Sequence, residues 1–148
     1  MYSGAERGYD GGKKVKGRKH HIGVDFDARL LHVQAHRANQ HDGSAGIEMF
    51  DALVEKYPTL ELLCADSAYG GMARDYAEIL LDTAVQIVRK IGDGFLVAPK
   101  RWIVERTFVW LGHARRLSKD FEVTVRHSEN MVRIAMLKLT LNQMFANP

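Results

Sequence analysis

The chain has one cysteine, three prolines and no long apolar run, and each shortage excludes something. A lone Cys64 cannot form an internal disulfide and fits a reducing compartment. Its place within Leu62-Leu63-Cys64-Ala65 marks a small apolar side chain rather than a nucleophile. The apolar runs fall far short of the roughly 20 residues that cross a bilayer. Met1 to Arg7 has no apolar secretory core. The expectation is a cytosolic protein with no membrane partner. No cysteine pair or helical His-x-x-x-His accompanies His20, His21, His32, His36 and His41, although His32 and His36 share one face of a strand. Zinc is therefore the weaker reading of these histidines.

What is present is the material of one domain with a core: 148 residues, 46% hydrophobic and 26% charged. The net charge of +3 is modest but unevenly spread. Lys13, Lys14, Lys16, Arg18 and Lys19 form one basic cluster, and Lys100, Arg101, Arg106, Arg115, Arg116 and Lys119 form another. Such clusters neutralise phosphates, or they are simply a solvated face.

Residues 1–17 carry Gly4, Gly8, Gly11, Gly12 and Gly17 and little that is apolar, so they are expected to be an irregular basic leading segment. The folded domain is expected over 18–148. Period-two alternation predicts strands over Lys19–Phe26 and Leu30–His36, joined by a turn at Asp27-Ala28-Arg29. Asp42-Gly43-Ser44 offers helix-capping chemistry before Ile47, Phe50, Leu53 and Val54, and Tyr57-Pro58 ends that helix. A buried strand over Leu60–Ala65 should end at Asp66. A helix over Ala73–Leu81 follows, with Tyr76, Ala77, Leu80 and Leu81 on one stripe. Strands are expected over Ala84–Val88 and Phe95–Ala98. Pro99 suits the first turn of a helix carrying Glu105. The last helix, from about Ser128 to Phe145, is apolar on nearly every side, which suits several neighbours or a partner chain. This order predicts an α/β or α+β sheet flanked by helices.

Two acids stand out. Asp66 closes an apolar run, with Gly70 and Gly71 allowing close approach of a ligand; equally, it suits a cap or an Asx-turn. Glu105 sits among Arg101, Arg106, Trp102 and Trp110, where a carboxylate can hold a hard cation beside a polyanion, or make an ordinary ion pair. The tryptophans read as core anchors rather than base-stacking platforms.

Taken together, three stretches resemble the IS5 branch of bacterial insertion-sequence transposases. They are Gly8 to Ile22 with its Lys13-Lys14-Val15-Lys16-Gly17-Arg18-Lys19 core, Ala65-Asp66-Ser67-Ala68-Tyr69-Gly70-Gly71, and Arg101-Trp102-Ile103-Val104-Glu105-Arg106-Thr107-Phe108-Val109-Trp110-Leu111 with Arg115 to Glu122. The resemblance runs from about Gly8 to the carboxyl end. It implies an RNase H-like mixed sheet flanked by helices, and two Asp and one Glu that bind Mg²⁺ or Mn²⁺ to cut and join DNA at element ends. Asp66 would be the second Asp and Glu105 the Glu, with Arg101 in the basic position before it. The family's first Asp lies on a first strand upstream of the lysine cluster, where this chain has none; neither Asp10 nor Asp25 takes its place. The expectation is an incomplete catalytic domain lacking its first strand and unable to transpose alone. The alternative is a catalytically inactive DNA-binding or regulatory fragment. DNA would be held by Lys13, Lys14, Lys16, Arg18, Lys19, Arg101, Arg106, Arg115 and Arg116, with a homo-oligomer plausible through the final helix.

Overall fold

The structure is a computed structural model that describes residues 6–88 and 100–146, apart from the Arg101 side chain. The strand expected at 95–98 and Pro99 lie outside those residues. Three antiparallel strands come first, β1 (Gly8–Asp10), β2 (Val15–Val24) and β3 (Leu30–Arg37), in the order β1-β2-β3. Helix α1 (Asp42–Lys56) leads to β4 (Leu62–Asp66), a 3-10 turn (Ser67–Tyr69), α2 (Met72–Leu80) and β5 (Ala84–Val88). Strands β4 and β5 pair in parallel, from Leu62 against Ala84 to Asp66 against Val88. Helices α3 (Arg101–Gly112) and α4 (Val125–Ala146) complete the chain. The result is the mixed α/β architecture that the element order implied.

The leading segment is not irregular over its described part. Tyr9 pairs with Lys16 across a tight turn, where the Asp10 carboxylate accepts from the Gly12 and Lys13 amides at 2.9 and 3.1 Å. Those bonds hold the Asp10 carboxyl below its ordinary pKa, the Lys13 amide having the largest effect. Gly11 and Gly12 lie in that turn, and Gly8 and Gly17 in the strands beside it.

Alternation along the β2–β3 hairpin splits its side chains between two helices. Ile22 stands opposite Val33, and His20 opposite Ala35. Val33 is buried with Val132 and Met136 of α4 and Leu111 of α3. The other face carries Lys19, His21, Gly23, His32, Gln34 and His36, and meets α1. The packing at Gly23 is tight, since a Cβ would lie 3.1 Å from both Met49 and Leu53 side-chain carbons. A second core joins Phe50 of α1, Ala73 and Ala77 of α2, and Val85 of β5.

Three sequence expectations change. Strand β4 is half-buried rather than buried, with Leu62 exposed. On α2 the buried positions are Ala73 and Ala77, while Leu80 faces solvent. Helix α4 buries the line Ser128, Val132 and Met136 and leaves Ile134, Leu137, Leu141, Met144 and Phe145 exposed.

One feature of the sheets governs the site. Residues Arg18 to Val24 of β2 pair with β3 along one edge, and β4 pairs with β5 along one edge. Among the described residues the other edge of each of these runs has no strand partner. Residues from both runs border one cavity.

Candidate functional site

That cavity, of about 400 Å³, is shared by the two singled-out acids: Asp66 and Glu105 both line it, with Asp25 and Lys100. Its remaining wall is largely apolar, including Ile22, Val24, Leu63, Ile103 and Phe108. Asp66 is the last residue of β4, half-buried, and its Oδ1 accepts the Ala68 amide at 2.9 Å. The Asx-turn reading of Asp66 is borne out by this bond, and α2 itself starts at Gly71 without a side-chain cap. Gly71, at φ +63°, starts α2 in a left-handed conformation that favours glycine.

Glu105 stands exposed in the second turn of α3. Helix α3 is fixed by Ile103, Thr107 and Leu111, all buried, and the Thr107 hydroxyl donates to the Ile103 carbonyl at 2.7 Å. Next to Glu105 the helix carries a half-buried cation, which borders Phe26 and Asp27 of the hairpin turn and Thr140 and Met144 of α4. The Arg106 guanidinium lies 4.3 Å from the Trp102 ring centroid and 4.6 Å from that of Trp110, sandwiched at i±4 spacing. Trp102 is 42% exposed. It is thus a surface partner of an arginine and not the core anchor expected.

Asp25 also reaches the cavity, but its Oδ1 is taken up by the Asp27 and Arg29 amides at 3.0 and 2.8 Å. It holds the hairpin turn.

The basic residues divide into two groups. Lys13, Lys14, Lys16, Arg115 and Arg116 are exposed, with Arg116 pairing with Glu122 at 3.0 Å. Arg18 does not belong with them. Its side chain is fully buried, donating to Asp120 Oδ2 at 2.8 Å and to the Glu122 and Val123 carbonyls at 2.9 and 2.7 Å. It ties β2 to the segment before α4, so the expectation that it faces phosphate is withdrawn. Lys19 is similarly engaged, 3.0 Å from Asp42 and 3.8 Å from Asp10.

At the wall of the cavity that His21 forms lies a group of ligand-bearing side chains. His21, His36 and Asp42 bring potential ligand atoms within 4.8 Å of one another. Both rings are 6% exposed. Burial, then neighbouring His36, pushes the pKa of His21 down to about 4. The same burial effect lowers His20 and His32. The His21 and His36 Nε2 atoms are 2.5 Å apart, whereas two nitrogens on one tetrahedral zinc stand roughly 3.3 Å apart. Lys19 bonds one Asp42 oxygen, Oδ1, at 3.0 Å. The arrangement is that of a hydrogen bond, not of a filled chelate.

The sequence model of the transposase DDE domain matches residues 2–139. A transposase ascribed to insertion sequence element IS402 of Burkholderia cepacia is 30% identical over 116 residues, covering 72% of this chain and 54% of that protein. The chain thus spans about half the length of this curated relative. No solved structure matches.

Proposed function

Because the chain belongs to the transposase DDE domain family, we propose that Asp66 and Glu105 are two of the carboxylates of a metal-dependent DNA strand-cleaving and strand-transferring site of the IS5 type. The observation that carries this reading is their convergence on one cavity from β4 and α3. Exposed or half-buried carboxylate oxygens beside an open cavity suit Mg²⁺ or Mn²⁺, which are hard cations that keep water in their coordination shell. Asp66 and Glu105 would hold the ion. Bound there, it would lower the pKa of an attacking water or 3′-hydroxyl and offset charge on the phosphodiester.

The residues of the chain supply the rest. Lys100, at the cavity, and Arg106, next to Glu105 in the sequence and clamped by two tryptophans, would supply positive charge near Glu105, where a phosphate backbone would otherwise repel the acid. Lys13, Lys14 and Lys16 at the β1–β2 turn, with Arg115 and Arg116 after α3, extend that field over exposed surface. The substrates would be insertion-sequence ends and target DNA.

A third carboxylate and one further strand would fit together. Two strand edges that have no partner among the described residues border the cavity; one further strand between β2 and β4 would join the two sheets into an RNase H-like sheet and bring an Asp to the same end as Asp66. An upstream segment of a longer product would supply it. Without it, a second reading is favoured by the turn-bound state of Asp25: with two carboxylates only, the chain binds DNA and competes with the complete enzyme for ends.

The test is Glu105→Gln in a product extended by an upstream strand bearing an Asp. Metal-dependent cleavage of element-end DNA should disappear while DNA affinity stays within about twofold. Cleavage unaffected by Glu105→Gln would remove the assignment.

A further inference from the structure

The histidine pair beside the cavity has a direction. His36 Nδ1 lies 2.9 Å from the Arg37 carbonyl oxygen, which only accepts, so that nitrogen carries the hydrogen. In the uncharged ring Nε2 is then the acceptor. His21 Nε2, 2.5 Å away, must donate to it. The ring planes are inclined by 21° with centroids 4.6 Å apart; because the nitrogens approach far more closely than the ring centres, the imidazoles meet tip to tip, as that donation requires. His21 Nδ1 is left as an acceptor, and the Tyr69 hydroxyl bonds it. One chain of donors therefore runs from Tyr69 through His21 and His36 to the backbone of β3.

Tyr69 is itself held on both sides. Its ring rests on α1 at Gly46, where a Cβ would come within 2.8 Å of Tyr69 Cδ1, and lies 5.9 Å from the Phe50 ring. Only a glycine lets the ring sit this close to the helix. Tyr69 closes the same one-turn 3-10 helix that Asp66 caps through the Ala68 amide, and both side chains line the cavity.

Resting on the assignment of Asp66 above, we infer that Tyr69 is a positioning residue, and that the Tyr69–His21–His36 chain anchors the 3-10 turn to the β2–β3 hairpin and so fixes the Asp66 carboxylate relative to Glu105. The turn has no other side-chain bond to the hairpin among the hydrogen bonds of the described residues. Without the anchor, Asp66 would keep its own cap bond but would move with the turn. Tyr69 need not touch the metal or the DNA to act, since outer partners that orient a ligand typically alter metal affinity by 10–100-fold.

The experiment uses the full chain, labelled with ¹⁵N at histidine and on the backbone, with Mn²⁺ as the probe. In the native chain, His36 should show protonated Nδ1 and bare Nε2, and His21 the reverse. Tyr69→Phe should shift the His21 Nδ1 resonance, leave His36 Nδ1 protonated, and raise about tenfold the Mn²⁺ concentration needed to broaden the Ala65 and Ala68 amides. Asp66→Asn should abolish that broadening. If Asp66→Asn abolishes it and Tyr69→Phe leaves it unchanged, the positioning role fails while the site assignment stands. If Asp66→Asn has no effect, the site assignment fails and takes the inference with it. The opposite tautomers, or displacement of the His21 and His36 Nε2 signals by Zn²⁺ at stoichiometric concentration, would overturn the chain and make the pair a metal site. If Tyr69→Phe unfolds the protein, His21→Leu, which leaves the tyrosine hydroxyl without that acceptor, is read by the Mn²⁺ concentration alone.

Discussion

Arg18 of β2 and Asp120, in the segment that leads to α4, are joined at 2.8 Å although they lie 102 positions apart in the sequence. The arginine is wholly enclosed, and its bonds to the Glu122 and Val123 carbonyls leave it no role at the surface. Arg18→Ala should therefore act on stability, by roughly 3 kcal/mol, because it strands a buried acceptor and two carbonyls. Urea unfolding of the variant checks this. A change in DNA affinity with an unchanged midpoint would return Arg18 to the phosphate-facing group.

The exposed lysines should behave in the opposite sense. Replacing Lys13, Lys14 and Lys16 together with alanine should change stability by under about 0.5 kcal/mol. The dependence of DNA affinity on salt should flatten by about 0.9 in the log–log slope for each phosphate that is no longer neutralised. Binding measured across a salt series decides; a slope equal to that of the native chain would show that these lysines are a solvated face.

His21 gives stability a pH dependence. Its pKa is about 4 in the folded chain, against 6.5 for the free group, so as pH falls the unfolded chain takes up the proton first. Stability is complete above about pH 6.5 and declines toward pH 4, by roughly 2–3 kcal/mol from this group. His36, Asp42, Lys19 and His20 face it, with Tyr69 at its Nδ1. Lowered His20 and His32 act in the same direction. Denaturant midpoints at pH 7 and roughly pH 4.5, on either side of the free-group pKa, test this, and equal values would refute it.

Gly46 is placed by the same cluster. Gly46→Ala gains helix propensity of about 1 kcal/mol but puts a methyl 2.8 Å from Tyr69 Cδ1 and 3.1 Å from the Ala73 Cβ. Overpacking of this kind costs about 1–3 kcal/mol, so the net change should be destabilising and the His21 ring signals should move. A more stable variant with unmoved histidine signals would mean that the ring has room.

Periodicity discloses the hairpin, α1, β4, β5 and both final helices, because each carries a run long enough to show its period. The β1–β2 turn is hidden by its glycines, which look the same in a turn and in a disordered leader; the turn chemistry of Asp10 is the signal that separates the two. The fate of Arg18 depends on Asp120, which no local pattern links to it. His32 and His36 are neighbours on one strand, whereas His36 meets His21 diagonally across the hairpin. With the turn at Asp27 to Arg29 the register places both on the α1 face, so that pairing is within reach of the sequence. The cavity shared by Asp66 and Glu105 is different in kind. No spacing implies it, and only the family resemblance suggests where to look.

Asp66 and Glu105 are proposed above to share one ion, and paramagnetic broadening by Mn²⁺ tests this most directly. Amides flanking both residues should broaden together in the native full chain, and either Asp66→Asn or Glu105→Gln should remove the effect at both places. Broadening confined to one acid, or centred on His21, His36 and Asp42, would contradict it.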